Sequence, residues 1–121
     1  MMPLLDRLRL DPRFMANVAA WEKIPPRPAR YADFPKRLDS RLIEALNRRG
    51  ISSLYTHQAD SVEAALRGEN LVVVTGTASG KTLCYNLPIL QTTLHNPSAR
   101  ALYLFPTKAL AQDQAAELSQ F

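Results

Sequence analysis

Leu71-Val72-Val73-Val74-Thr75-Gly76-Thr77-Ala78-Ser79-Gly80-Lys81-Thr82 is the stretch that decides how the chain is read. Its first four residues form an apolar, β-branched run without polar alternation, which suits a strand buried on both faces of a parallel sheet. Beyond the loop, Leu83, Leu87, Leu90 and Leu94 recur at helical spacing, so a helix is expected over residues 81–95, kinked at Pro88 and ended by Asn96-Pro97. In a strand–loop–helix of this kind the loop N–H groups curl round a β-phosphate, and the helix N-terminus adds partial positive charge. On this reading Gly76, Thr77, Ala78, Ser79 and Gly80 cradle phosphates, Lys81 reaches the β/γ-phosphates, and the Thr82 hydroxyl completes a Mg²⁺ shell. Gly80 is needed because a Cβ would intrude where backbone and phosphate meet. The strict pattern G-x-x-x-x-G-K-[ST] is not met: Thr75 stands at the first glycine position and Gly76 lies one residue late.

Working outward, Ala101-Leu102-Tyr103-Leu104-Phe105 is a second buried-strand candidate, and Pro106-Thr107 opens a last helix expected to run on to Phe121. Strand, helix, strand is a βαβ unit with a right-handed crossover. Upstream, Asp39 is expected to cap a helix carrying Leu42, Ile43, Ala45 and Leu46, stopped by Gly50. Thr56 is expected to cap another, with Ala59, Val62, Ala65 and Leu66 on one face and Gly68 at its end. The fold class is α/β: the start of a phosphate-loop nucleotide-binding lobe, an incomplete parallel sheet flanked by helices. Two parallel strands buried on both faces expect further strands beside them, so the chain reads as the opening of a larger domain.

The 121 residues carry a net charge of +4, and the charge is uneven. Residues 1–50 hold 11 Lys/Arg against 6 Asp/Glu, whereas residues 51–121 hold 4 against 5. Such a basic segment either tracks a nucleic acid backbone or forms a solvated arm. Pro25, Pro26, Pro28 and Pro35 oppose helix and central strand between residues 23 and 36, which reads as an extended connector. It follows a short helix opened by Asp11-Pro12 and running towards Trp21. Residues 1–38 are therefore expected to form a basic, proline-rich arm and residues 39–121 the nucleotide-binding domain. The single cysteine, Cys84, excludes a disulfide framework. With no apolar run of membrane-spanning length and no apolar leader core, a cytoplasmic location without membrane contact is expected.

Three stretches together carry a family resemblance. The loop Thr-x-x-x-Ser-Gly-Lys-Thr, with a small non-glycine residue first, resembles motif I of the superfamily 2 DEAD/DEAH-box helicases. Gly50-Ile51-Ser52-Ser53-Leu54-Tyr55-Thr56-His57-Gln58 is similar to that family's Q motif, in which a glycine precedes an adenine-reading glutamine by eight positions. A glutamine amide offers donor and acceptor to the N6 and N7 edge of adenine. Pro106-Thr107-Lys108-Ala109-Leu110-Ala111-Gln112 resembles motif Ia, Pro-Thr-Arg-Glu-Leu-Ala. The phrases at residues 26–35, 55–60, 77–90 and 101–114 look most similar to the bacterial mitomycin-repair-type branch, whose members resemble RecQ.

The resemblance implies a RecA-like lobe of an ATP-dependent DNA helicase that takes ATP and Mg²⁺ as cofactors and a single-stranded or duplex nucleic acid as partner. It implies that Gln58 selects adenine, with Phe34 or alternatively Tyr31 stacking on the base, and that Lys81 and Thr82 serve hydrolysis. It further implies that Pro106, Thr107 and Lys108 hold a sugar-phosphate backbone without reading bases. After Thr82 the only acids are Asp113 and Glu117, both within the last helix pattern, so no Asp-Glu motif II and no second lobe are expected here. The chain by itself is expected to be inactive in hydrolysis. A small-molecule phosphotransferase would share residues 71–82 but would not account for Gln58 or Pro106-Thr107-Lys108. A truncated product that binds nucleotide weakly or is merely unstable is the non-enzymatic alternative.

Overall fold

The computed structural model describes residues 1–76 and 79–121. The N-terminal segment begins with α1 (Leu4–Leu10) and α2 (Pro12–Met15). Asp11 caps α2 as expected, its carboxylate accepting from the Arg13 N–H at 2.9 Å. The helix does not reach Trp21: Asn17 Nδ2 donates to the Arg13 carbonyl, and the following N–H groups bond three residues back. A side chain competing with the backbone in this way ends the helix early. Trp21 stands edge-on to Phe14 at 6.4 Å, with the Arg9 guanidinium 6.0 Å from its ring centre.

The proline-rich stretch leads into β1 (Tyr31–Ala32), which pairs antiparallel with β2 (Leu54–Tyr55), Tyr31 opposite Tyr55 and Ala32 opposite Leu54. Between them lies α3 (Ser40–Arg48), capped by Asp39 through the Arg41 N–H at 2.9 Å. The Arg41 guanidinium, then the Arg41 backbone N–H, hold the Asp39 carboxyl well below the usual carboxylate range. α3 is followed by Gly50 at φ +78°, the left-handed conformation that glycine adopts without strain. α4 (Thr56–Leu66) starts directly from β2. Its cap is Tyr55 rather than Thr56: Tyr55 keeps an extended conformation, and its N–H is taken by Gln58 Oε1 at 2.9 Å.

α5 (Lys81–His95) runs through Pro88 and ends at Asn96, as the leucine spacing predicts. Leu83 and Leu87 are buried against Leu38, Leu42, Leu46, Leu54, Ala59 and Val62, with Leu90 and Leu94 at the margin of the same core. Gln91 pins this helix to the start of α3, accepting from the Asp39 N–H at 2.7 Å and donating to the Arg37 carbonyl at 2.8 Å. Cys84 is buried, and that burial pushes its thiol pKa up. α6 (Lys108–Leu118) closes at Ser119 and does not run on to Phe121.

The two apolar runs differ from expectation. Among the described residues no ladder joins 71–74 to 101–105; the paired strands are β1 and β2. Each run keeps the two-residue period of a strand: Val73 and Tyr103 are half-buried, whereas Val72 and Leu102 are 88% and 84% exposed. This chain therefore covers one face of each run. Leu71 and Val73 of the first run, Ala101 of the second, and Tyr85, Pro88 and Ile89 of α5 border a groove of about 790 Å³. The runs flank that gap and do not share backbone hydrogen bonds.

Leu46 and Leu87 are completely buried. Leu46→Ala is expected to cost about 2–5 kcal/mol, the range for emptying a closed leucine site. Urea unfolding followed by circular dichroism measures it, and an exposed-site substitution such as Leu102→Ala should cost far less.

Candidate functional site

β2, α4 and the entry to α5 meet at one buried amide. Gln58, only 3% exposed, accepts from the Tyr55 N–H and donates from Nε2 to the Gly80 carbonyl at 2.8 Å. Neighbouring His57 donates from Nε2 to the Ser79 carbonyl at 2.8 Å. The first turn of α4 thus holds the last residues of the loop by two side chains. Gly80 sits at φ +72°, and a Cβ there would lie 2.5 Å from Gln58 Nε2. Gly80 is therefore required both by its backbone and by its neighbour. At Gly76, by contrast, an added methyl group would meet nothing within 4 Å among the described residues.

The loop is closed by its own lysine. Lys81 Nζ donates to the carbonyls of Thr75 at 2.8 Å and Gly76 at 3.1 Å, and the hydroxyls of Thr75 and Ser79 are bonded to each other. Thr75, at the place of the expected first glycine, thereby gains a partner that glycine lacks. Thr82, the second residue of α5, lines the cavities on both sides of the helix start. Thr77 and Ala78 lie outside the described residues.

A cavity of about 640 Å³ opens beside this junction, bordered by Tyr31, Tyr55, Gln58, Gly80 and Thr82, with Arg49 and Glu117 at another side. Tyr31, Tyr55 and His57 form a stacked series, with ring centres 5.3 Å and 5.7 Å apart. Phe34 does not border the cavity; it packs against the hydrophobic core. The pairing of β1 with β2 explains the difference, because it sets Tyr31 opposite Tyr55. His57 and Tyr55 had no distinguishing signal beyond their position next to Gln58.

Pro106, Thr107 and Lys108 are exposed at the start of α6, where the Thr107 hydroxyl accepts from the Leu110 N–H at 3.2 Å. The loop helix and this helix are tied by Tyr85, whose hydroxyl donates to Gln114 Oε1 at 2.8 Å. Asn86, 1% exposed, accepts from the Tyr103 hydroxyl at 3.0 Å. Burial pushes the Tyr103 pKa up, with the nearby Tyr85 adding to it, so this phenol stays protonated and able to donate.

Gly80→Ala should break the Gln58 bridge and destabilise the chain by on the order of 1–3 kcal/mol. Gly76→Ala should be close to neutral for folding. Thermal unfolding of the two variants side by side tests the contrast, and equal losses would contradict it.

Comparison with known proteins gives concordant results. The DEAD/DEAH box helicase family model matches residues 55–121. The ATP-dependent helicase YprA of Bacillus subtilis is 51% identical over 116 residues, covering 96% of this chain and 16% of the relative. The ATP-dependent helicase hrq1 of Schizosaccharomyces pombe is 43% identical over 91 residues, covering 74% of this chain and 9% of the relative. A crystal structure of the DUF1998 helicase MrfA bound to DNA and AMPPNP superposes with a TM-score of 0.86 at 50% identity, covering 97% of this chain and 16% of that one. The α/β fold is accordingly the opening part of a RecA-like helicase lobe, of the same branch as YprA and MrfA. The chain spans 9–16% of the length of these curated relatives. It belongs to the DEAD/DEAH box helicase family.

Proposed function

We propose that this chain is the N-terminal, nucleotide-binding part of an ATP-dependent DNA helicase. The observation that carries the reading is the cavity in which Tyr31, Gln58, Gly80 and Thr82 meet. An aromatic face and a buried amide border it beside Gly80, which supports reading residues 76–82 as a phosphate loop. An amide has two N–H groups and two acceptor lone pairs. Gln58 uses one of each on Gly80 and Tyr55, leaving one N–H and one lone pair for the N7 and N6 of adenine. Tyr31, 61% exposed and already stacked on Tyr55, offers its outer face to the base; this role passes to it from Phe34.

The triphosphate of ATP takes the place beside residues 76–82, where Lys81 exchanges the two loop carbonyls for phosphate oxygens. A protonated amine held by carbonyl oxygens is already positioned for a stronger, charge-assisted partner. The Thr82 hydroxyl is a hard oxygen donor suited to Mg²⁺, which neutralises charge developing on the phosphates when bound. Thr107 and Lys108, at a helix N-terminus, meet the sugar-phosphate backbone of DNA. A membrane plays no part, and the setting is cytoplasmic. Residues 1–30 act as a basic arm, whereas residues 31–38, expected to belong to it, are built into the domain through β1 and Leu38.

Lys81→Ala in the full-length protein is expected to abolish ATP hydrolysis while leaving single-stranded DNA binding largely intact. Retained hydrolysis, or a wild-type ATPase that single-stranded DNA does not stimulate, would count against the helicase reading. Lys108→Ala should weaken DNA binding by a similar factor on every sequence and lower the slope of log affinity against log salt by about one. An unchanged slope in fluorescence-anisotropy titrations would remove Lys108 from the interface.

A further inference from the structure

α6 is held differently from the other helices of the body. Ala111, Gln114, Glu117 and Leu118 are half-buried along one face, but no residue of the helix is buried. Two polar links on that face carry the attachment. Gln114 accepts from the Tyr85 hydroxyl, and Glu117 pairs with Arg49 at 3.6 Å. Arg49 also lies 4.4 Å from the ring centre of Phe121.

Tyr85 stands one turn beyond Lys81 on the same helix. Its ring is fixed edge-on to Tyr103 at 5.9 Å, and Tyr103 in turn is bonded to Asn86. The Tyr85 hydroxyl is therefore set by α5 and by the run that leads into α6. Gln114 lies six residues after Lys108, about 9 Å along the same rigid rod.

We propose that the Tyr85–Gln114 hydrogen bond is a strut coupling the phosphate loop to the Thr107-Lys108 end of α6. Tyr85 and Gln114 are positioning residues in this account; neither borders the nucleotide cavity or sits at the helix start. The inference rests on the reading of the two sites given above. A shift of the loop on nucleotide binding moves the first turn of α5. α6 follows the directional bond, and its N-terminus changes its fit to the DNA backbone.

The test is the factor by which a non-hydrolysable ATP analogue changes single-stranded DNA affinity in the full-length protein, measured by fluorescence anisotropy. Reciprocity makes this factor the coupling between the sites. Tyr85→Phe, which removes one oxygen and keeps the ring, should bring the factor about three- to ten-fold closer to unity. The affinity for each ligand alone should be unchanged. Gln114→Leu should do the same, Gln114→Glu should keep the wild-type factor because it keeps the acceptor, and the double variant should be no worse than either single one. A wild-type factor in Tyr85→Phe overturns the strut, as does an equal loss of both single-ligand affinities, which marks simple structural support. A wild-type protein with no coupling at all overturns both strut and functional reading. Loss of hydrolysis in Lys81→Ala beside intact coupling in Tyr85→Phe overturns the strut alone.

Discussion

A buried amide must have its hydrogen bonds satisfied, since an unpaired one costs several times the net worth of a typical bond. Gln58 meets that requirement with one backbone group from each side, the Tyr55 N–H and the Gly80 carbonyl. The two bonds fix the separation between the start of α4 and the start of α5. The packing of these two helices, the most extensive between elements of the chain, proceeds from that fixed corner. The left-handed backbone of Gly80 belongs to the same constraint, because its carbonyl points at the amide while its Cα leaves no room for a methyl group. Cavity, loop exit and helix start are thus consequences of one side chain.

Local signals in the sequence were sufficient for α3, α4 and α5. Leucines at helical spacing locate the buried face of α5, Asp39 caps α3, and the glycines at 50 and 68 close α3 and α4. The left-handed Gly80 at the entry to α5 follows from the Gly-Lys-Thr of the sequence for the same reason, since its conformation depends on consecutive residues. What failed to show were features set by distant partners. β1 and β2 are two residues each, too short for an alternating pattern, and their pairing joins positions 24 residues apart. That pairing decides which aromatic borders the cavity, so Phe34 could not be told from Tyr31 by spacing. The apolar runs at 71–74 and 101–105 carry strand composition, but a ladder needs a neighbour at the right distance, and composition does not specify one. The Tyr85–Gln114 bond is likewise invisible until α5 and α6 are set in space.

Polar side chains do much of the work of registering these helices. Gln91 could have been another leucine by the pattern of α5, yet it holds both the Arg37 carbonyl and the Asp39 N–H, aligning α5 with the cap of α3. Asn86 holds Tyr103 by a single bond to its Oδ1, its buried Nδ2 having no partner among the described residues. Apolar contacts tolerate sliding by fractions of an ångström, whereas directional bonds between buried partners do not. The loop that leads into α5 inherits that fixed register.

The outward faces of the two apolar runs have a consequence for the chain in concentrated solution. Val72, Val74, Leu102 and Leu104 are all more than four-fifths exposed on segments without a ladder among the described residues. In a chain that spans 16% of the relative YprA, such faces are open to further strands of the lobe. Charged residues stand at their ends, Glu69 and Lys81 around the first and Arg100 and Lys108 around the second. Charges flanking an apolar run oppose in-register stacking of copies of the isolated chain.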